Sequence, residues 1–300
     1  MVKVQVVPPK TPFTNLWRVF YFTYPKGCLL KFHYLHFSFK KTIMNKFNLI
    51  LMLFATINMS AQAVMESTYL DVPATKIDRF VELHKTMTDM AQGEDRTIVG
   101  SWVYRHWYGS GHSIVIYDQF NSVEDAVKDD FFAALRKNVD KLSEAEQKEM
   151  SEVFNEWWSF FNNHTDEMRL WNPETDHVSK PDVDWDIPFV FVVGSYNSSG
   201  SEADLAKAYM EWSTRPGVEN GLQLGGGSTL HYKGSGSDVQ LYGGFKNIKE
   251  FAESISTQGT DRPEARSKFW SLVEGSHSDQ IYIHVGHLVD GKFDLAGPNN

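Results

Sequence analysis

Hydrophobic and polar residues follow two periods between residues 64 and 289. Within residues 73–91, apolar side chains return every three or four positions, which predicts a helix with one buried face. Within residues 97–108 and 113–120, apolar and polar side chains alternate, which predicts two strands. Gly109-Ser110-Gly111 lies between these strands and predicts a hairpin turn. The chain is therefore expected to mix strands with helices.

One hairpin pattern occurs twice, 125 positions apart. The first copy, YGSGHSIVIYDQF, begins at Tyr108, and the second, KGSGSDVQLYGGF, begins at Lys233. At this offset two aromatic pairs and one histidine pair coincide: Tyr117 with Tyr242, Phe120 with Phe245, and His106 with His231. Self-similarity at one long period is typical of an internal duplication.

Each copy reads as strand, helix, strand, strand, helix, strand, and this order is the ferredoxin-like βαββαβ unit. The first unit is expected at 64–171 and the second at 188–289, with a polar, proline-containing linker at 172–187 and a tail at 290–300. Helices cover one face of such a sheet and leave the other face open, so two units bury their open faces together. We therefore predict an α+β fold in which two tandem ferredoxin-like units pack sheet to sheet as an α+β barrel within one chain.

This pattern resembles the dimeric α+β-barrel superfamily, in the tandem form that carries both halves in one polypeptide. The resemblance spans roughly residues 64–289 and concerns the order of elements, because no residue signature of a single family accompanies it. It implies a small ligand held within the barrel or between a sheet and its helices. The superfamily includes cofactor-free oxygenases acting on aromatic substrates, isomerases, haem enzymes and stress-response proteins, and the fold does not choose among them.

Residues 44–63, MNKFNLILMLFATINMSAQA, have the order of a secretory signal peptide. Lys46 gives a basic start, an apolar stretch follows, and Ala61-Gln62-Ala63 gives a small-x-small exit. The apolar stretch is shorter than the roughly 20 residues that a membrane-spanning helix needs. We therefore expect export to the periplasm or the medium. Residues 1–43 are then expected to be an upstream extension from a mis-set start codon, the alternative being a long targeting region.

Charge and cysteine content change at the same boundary. The first 63 residues hold 8 of the 29 lysines and arginines and none of the 38 acidic residues, so the remainder has 21 basic residues and a formal net charge of −17. An acidic surface of this kind repels phosphate backbones and anionic lipid, so neither nucleic acid nor, after signal cleavage, a membrane is an expected partner. The one cysteine, Cys28, precedes the boundary, so no disulfide or thiol nucleophile is expected beyond it.

Histidines are the first candidates for chemistry. His106 and His231 occupy equivalent positions on the second strand of each copy, and alternation places His106 on one face with Trp102 and Tyr104. Each histidine could act as a general base, or could pack as an inherited structural residue. Trp102, Tyr104 and Tyr242 are the aromatic side chains expected to bind a ligand beside them.

A second histidine pair lies where each copy is expected to pass from a helix into its last strand. His164 and His277 each precede an aspartate by two positions. Such a pair can hold a turn by hydrogen bonds to the backbone, or can present a carboxylate-oriented imidazole to a ligand. Both histidines are therefore included among the candidate ligand-binding residues.

Neither a metal nor a cofactor is predicted. His284 and His287 lie three residues apart on a predicted strand and should point to opposite faces, and no metal-binding motif occurs elsewhere. Tandem α+β barrels that carry haem take an axial histidine from a helix of the second half. The helices predicted there contain no histidine, and only His277 follows closely: 202–213, 248–256 and 264–273.

The glycine-rich stretch Leu224-Gly225-Gly226-Gly227-Ser228 is neither a P-loop nor a dinucleotide-binding fingerprint. Glycine within a strand lets a partner or ligand approach the sheet closely.

Two functional hypotheses remain. The first is an exported ligand-binding or stress-associated protein, a monomer or homodimer, that holds a small apolar or aromatic compound without turnover. The alternative is a cofactor-independent oxygenase- or isomerase-like enzyme acting on a small aromatic compound.

We predict that the exported protein begins after Ala63, because signal peptidases cut behind small residues. Intact mass and N-terminal sequencing of the secreted chain measure this directly. A mature chain that retains Cys28 would contradict both the cleavage site and the proposed start at Met44.

Overall fold

The computed structural model describes residues 62–180, 182–258 and 262–297. The expected extension at 1–43 and all but the last two residues of the expected signal peptide lie outside these residues, as do the last three residues of the expected tail. Within the described residues, no helix combines the length and apolar character needed to cross a bilayer.

The first half of the described chain contains four strands and four helices. A short 3-10 turn at Ala74–Lys76 precedes the first helix. The strands are β1 (Val64–Leu70), β2 (Gly100–Gly109), β3 (Ile114–Phe120) and β4 (Thr165–Trp171). The helices are α1 (Ile77–Met90), α2 (Val123–Lys128), α3 (Phe131–Val139) and α4 (Glu144–Ser159). Side chains cap three of these helices. Ser122 accepts a hydrogen bond from the Asp125 amide, Asp130 accepts one from the Ala133 amide, and Ser143 forms a capping box with Glu146.

The second half repeats this order after a short connecting strand. The strands are β5 (His177–Val178), β6 (Val190–Ser198), β7 (Gly225–Lys233), β8 (Val239–Phe245), β9 (Val273–Val289) and β10 (Lys292–Leu295). The helices are α5 (Glu202–Tyr209), which continues through a π turn at Met210–Thr214 into α6 (Arg215–Glu219), then α7 (Ile248–Gln258) and α8 (Pro263–Leu272). Asn172 and the 3-10 turn Pro173–Thr175 lead from β4 into β5.

Eight of these strands form a closed antiparallel barrel. The pairing order is β9-β2-β3-β1-β4-β7-β8-β6, and β6 pairs with β9 to close the ring. Each half keeps the ferredoxin-like order, β2-β3-β1-β4 in the first and β7-β8-β6-β9 in the second. The two halves join where β4 pairs with β7 and β2 pairs with β9. The predicted α+β barrel of two tandem units is confirmed, with the edge strands of the two sheets hydrogen-bonded to each other.

Alternation along the strands divides the core into an outer and an inner part. Outward-facing side chains meet the helices in two clusters, one around Phe80 and Leu70 in the first half and one around Phe269 and Leu241 in the second. Inward-facing side chains form a third, largely aromatic cluster: Tyr104, Val115, Tyr117, Phe189, Val193 and Tyr282. Both faces of each sheet are therefore buried, and the barrel interior is the more aromatic of the two.

The start of the last strand differs from the prediction, which had a helix at 264–273 and placed His277 where that helix passes into the strand. In the structure β9 begins at Val273, and its first residues pair with the end of β6 as far as Ser198. This pairing imposes an extended conformation on a polar segment that has no strand periodicity of its own. His277 therefore lies within a strand and not at a junction between a helix and a strand.

A buried arginine forms hydrogen bonds with both halves of the barrel. Arg169 on β4 has no exposed surface, and its Nε donates to Thr229 Oγ1 at 2.8 Å. Nη1 donates to Glu167 Oε2 at 3.2 Å and to the Ser237 carbonyl at 3.1 Å. Nη2 donates to the carbonyls of Thr229, at 3.1 Å, and Asp238, at 3.4 Å. Each of the five guanidinium hydrogens thus has an acceptor, and three of the four partners belong to the second half.

We predict that Arg169→Met lowers the free energy of unfolding by about 3–5 kcal/mol, because it leaves the Glu167 carboxylate buried without its counter-charge. Urea unfolding followed by circular dichroism measures the change. The double variant Glu167→Gln/Arg169→Met should recover part of the loss. Arg79→Met, which removes a surface guanidinium, is the control and should leave the unfolding midpoint nearly unchanged. Equal midpoints for Arg169→Met and Arg79→Met would contradict the role of Arg169.

Candidate functional site

The barrel encloses a cavity of about 400 Å³. It opens at the end where β4 finishes and β6 and β7 begin, and the hairpin turns after β2 and β7 lie at the opposite end. Seven strands and the linker contribute most of the wall: Met65, Ser67, Trp102, Tyr104, Tyr117, Gln119, Arg169, Trp171, Asp176, Val178, Trp185, Phe191, Val193, Gly225, Gly226, Thr229, Gln240, Tyr242 and Gly244. Phe189 and His287 complete it.

Aromatic rings form most of the wall. Tyr104 stacks on Phe191 with 4.3 Å between ring centroids, and Tyr117 meets Phe191 edge-on at 6.0 Å. Phe191 also lies 5.9 Å from the ring of Tyr242. These rings come from β2, β3, β6 and β8, so the face-and-edge packing spans the barrel interior. The arrangement leaves flat apolar surfaces facing the cavity, which suits a planar aromatic ligand.

The closed end of the cavity is polar, and most of its polar groups hydrogen-bond to one another. Glu167 Oε1 accepts from the Tyr69 hydroxyl at 2.5 Å and from Gln240 Nε2 at 2.9 Å, and Glu167 Oε2 accepts from Arg169. Since this network uses all the guanidinium hydrogens, Arg169 has none left for a ligand. The buried Ser67 hydroxyl nearby has no hydrogen-bond partner among the described residues. Ser67 is therefore the polar group at this end that a ligand or a water molecule could still satisfy.

Three tyrosine hydroxyls lie along the cavity wall. Burial raises the pKa of Tyr104, Tyr117 and Tyr242 above the usual tyrosine value, so all three stay neutral and can donate hydrogen bonds. Trp171 Nε1 donates to Tyr242 Oη at 3.1 Å, which fixes that oxygen and leaves its own hydrogen free. The wall can therefore stabilise a ligand oxygen that carries partial or full negative charge.

The linker forms the mouth of the cavity. β5 pairs with Gly225 and Gly226 at the start of β7, and the Trp185 ring packs on Phe189 at 5.3 Å. A Cβ at Gly225 would lie 3.1 Å from the His177 carbonyl and 3.5 Å from Trp185. The glycine-rich stretch thus lets the linker approach the barrel closely, in agreement with the role that the sequence suggested for it.

The structure separates the residues that the sequence singled out. Trp102, Tyr104 and Tyr242 line the cavity. His106 and His231 are on β2 and β7, which lie on opposite sides of the barrel, and both histidines are near the hairpin end, outside the cavity wall. The His106 ring packs edge-on against Tyr282 at 5.7 Å, and His231 Nε2 lies 3.2 Å from the Gly234 carbonyl. The two candidate bases are therefore not brought together.

The second histidine pair lies outside the barrel interior. His164 Nε2 is 2.9 Å from Asp166, and its Nδ1 is 2.5 Å from the Phe161 carbonyl, so it holds the turn before β4. His277 Nε2 is 3.1 Å from Asp279, and its ring stacks on Tyr196 at 4.9 Å, beneath the helices. Neither imidazole reaches the cavity.

His284 and His287 do not point to opposite faces, which corrects the expectation from strand alternation. The pairing of β2 with β9 shifts register between Val103 and Tyr104, and this bulge brings the two imidazole rings to 5.2 Å. Burial lowers the pKa of His284 to about 4, and its Nδ1 lies 2.9 Å from the Ile187 carbonyl. Within residues 62–180, 182–258 and 262–297, no group of three or more His, Cys, Asp or Glu side chains lies close enough to bind a metal ion. The His284–His287 pair therefore has no third ligand beside it among these residues.

The histidines of the second half do not fit the axial haem ligation expected of haem-carrying tandem barrels. In the part of the second half that the structure describes, helices α5 to α8 contain no histidine. His277, the nearest candidate, is stacked on Tyr196 and paired with Asp279. The described residues of the second half therefore do not offer the helix-borne axial imidazole that such a haem needs.

Most residues of the cavity wall are not among the candidates predicted from the sequence, which were chosen around histidines. Phe191, Trp171, Trp185 and Asp176 were not singled out, although the alternation of β6 placed Phe191 on one face with Val193. Which face of a strand becomes the interior depends on how the two sheets close, and a single strand does not encode it. Asp176 and Trp185 lie in the linker, where no periodicity predicts contact with the barrel.

Comparison with solved structures agrees with the fold. An anthrone oxidase-like protein aligns with a TM-score of 0.52 at 13% identity, over 80% of this chain and 97% of that chain. A provisionally assigned monooxygenase from Fusobacterium nucleatum subsp. nucleatum gives 0.53 at 10% identity, over 80% of this chain and 100% of that chain. No family model and no curated protein matches the sequence. The chain thus has the fold of the dimeric α+β-barrel superfamily, and the resemblance inferred from its element order is confirmed.

We predict that Val193→Phe weakens binding of 1-naphthol at least roughly tenfold, because the added ring occupies the cavity and overpacking costs about 1–3 kcal/mol. Quenching of tryptophan fluorescence measures the dissociation constant, since Trp102, Trp171 and Trp185 line the wall. Val127→Phe makes the same change at an exposed position and should bind like the wild type. Equal weakening in both variants would contradict binding in the barrel interior.

Proposed function

We propose that this protein is a cofactor-independent oxygenase that binds a small planar aromatic compound inside its barrel. The observation that carries the proposal is the enclosed aromatic cavity with neutral tyrosine hydroxyls on its wall. Flat rings provide stacking surfaces, and the hydroxyls provide hydrogen bonds to a substrate oxygen. The similarity in fold to an anthrone oxidase-like protein and to a provisionally assigned monooxygenase supports this class of reaction over passive binding.

The reaction that suits such a site is oxidation of an activated methylene to a ketone. A methylene between aromatic rings and para or vinylogous to a carbonyl loses a proton readily, and the resulting enolate reacts with dioxygen. The CH₂ group becomes C=O and the second oxygen atom leaves as water with both hydrogens. The carbon loses four electrons and dioxygen gains four, so no external reductant is needed. The protein's part is to bind the ring system, remove the proton and stabilise the enolate oxygen.

The site offers the parts that these steps require. Tyr104 and Tyr117 share one region of the wall, with their ring centroids 5.7 Å apart, and can donate to an enolate oxygen. Among the described residues, neither hydroxyl hydrogen-bonds to a side chain of the closed-end network. Ring-lined walls exclude water, which strengthens these interactions during the reaction.

We expect the purified protein to accelerate oxygen uptake in the presence of anthrone, with one dioxygen consumed for each anthraquinone formed. An oxygen electrode and the anthraquinone absorbance measure the two quantities against the rate without protein. Treatment with a chelator should leave the rate unchanged. Val193→Phe should lose most of the activity and Val127→Phe should keep it.

Two outcomes would contradict the proposal in different ways. Binding of anthrone without oxygen uptake above the background rate would favour a ligand-binding protein without turnover. Failure to bind anthrone, 1-naphthol or other planar aromatics would remove the substrate class itself.

A further inference from the structure

A short turn in the linker places one carboxylate at the cavity wall. Asn172 donates its backbone N–H to the Ser228 carbonyl at 3.1 Å and its side-chain amide to Ser228 Oγ at 3.2 Å. The Thr175 and Ser228 hydroxyls lie 2.6 Å apart, and all three residues are buried. Asp176 follows directly and lines the cavity. Its position is therefore set by hydrogen bonds to β7, although it lies in a linker.

Gly227, next to Ser228, brings the Asp176 carboxylate and a tyrosine hydroxyl into the same space. A Cβ at Gly227 would lie 2.7 Å from Tyr242 Oη and 3.1 Å from Asp176 Oδ1. Both oxygens thus face the backbone of Gly227 at close range. Any side chain at this position would displace one of them, so the glycine is a requirement of this arrangement.

The Asp176 carboxylate has no hydrogen bond or ion pair with any residue that the structure describes. Arg169 has no guanidinium hydrogen left to donate to Asp176, because the closed-end network uses all five. Burial raises the pKa of this carboxyl and the neighbouring His177 opposes the rise, while the carboxylate in turn raises the pKa of Tyr242. Asp176 keeps solvent-exposed surface where it lines the cavity, so its carboxylate can accept a hydrogen bond or a proton from a bound ligand.

We propose that Asp176 is the general base that removes the proton from the bound aromatic substrate, with Tyr242 beside it positioning the reacting carbon. This inference rests on the oxygenase function proposed above. The C–H bond breaks, its proton moves to a carboxylate oxygen of Asp176, and its electron pair stays on the substrate as the enolate. The proton leaves later in the water formed from dioxygen. Carboxylate bases act in this way next to ketones when neutral tyrosine hydroxyls stabilise the enolate.

The negative charge of the Asp176 carboxylate also limits the class of substrate that the cavity can bind. A carboxylate on the cavity wall repels aromatic acids and phenolates, whereas it accepts a hydrogen bond from a neutral phenol. The substrate is therefore a neutral aromatic ketone or phenol with an acidic hydrogen, and not an aromatic carboxylate.

The kinetic test compares Asp176→Asn with Glu174→Gln, which makes the same charge change on a side chain of the same turn that does not line the cavity. We expect Asp176→Asn to lower kcat for anthrone about 10²–10⁴-fold with KM changed less than roughly threefold, because general-base catalysis contributes about that factor. Glu174→Gln should match the wild type. Wild-type kcat in Asp176→Asn, together with lost activity in Val193→Phe, would overturn the base assignment and leave the oxygenase proposal standing.

A binding experiment tests the carboxylate without turnover. The probe is 4-nitrophenol, whose phenolate absorbs visibly and whose neutral form does not. The wild type and Glu174→Gln should bind the neutral form preferentially and raise the pKa of the bound probe by roughly one unit, and Asp176→Asn should remove most of that shift. The same shift in all three proteins would overturn the inference about Asp176. Failure of the probe to bind any of them would instead count against the proposed ligand class.

Discussion

Burial of the Arg169 guanidinium between the two halves of the barrel is the constraint on which the rest of the structure depends. A buried cation is tolerated only when a counter-charge and hydrogen-bond acceptors surround it. Glu167 supplies the charge, and Thr229, Ser237 and Asp238 of the second half supply four oxygens. Satisfying the arginine therefore joins β4 to β7 and its hairpin, and it concentrates the polar groups at one end of the barrel.

That concentration leaves the remainder of the interior to aromatic side chains. Because the polar network is complete within itself, it closes one end and places no unpaired cation in the cavity. Beyond it, Tyr104, Phe191 and Tyr242 pack face and edge around an enclosed space. The site is thus divided along the barrel axis into a rigid polar floor and an aromatic chamber that opens at the linker end.

The linker belongs to this chamber as much as the strands do. Glycines at the start of β7 remove the side chains that would hold the linker away, and Ser228 fixes the turn that carries Asp176. A connection between two ferredoxin-like units has to cross one end of the barrel. In this protein the crossing supplies Trp185 to the mouth and the carboxylate to the wall. The linker therefore contributes both an aromatic ring and a negative charge to the site.

The sequence by itself determined the βαββαβ order of each half, because strand and helix periods are local properties of the chain. That order predicted the joining of two halves into a barrel, and alternation placed Trp102 and Tyr104 on one face of their strand without deciding that this face is the interior. Tertiary structure decided which residues meet. A bulge between β2 and β9 brought His284 and His287 onto one side, and ring closure left His106 and His231 on opposite sides of the barrel. Asp176 reaches the cavity because Asn172 and Thr175, its neighbours in the same turn, hydrogen-bond to Ser228 on a distant strand. Contacts of this kind depend on how distant segments pack, and no local period records them.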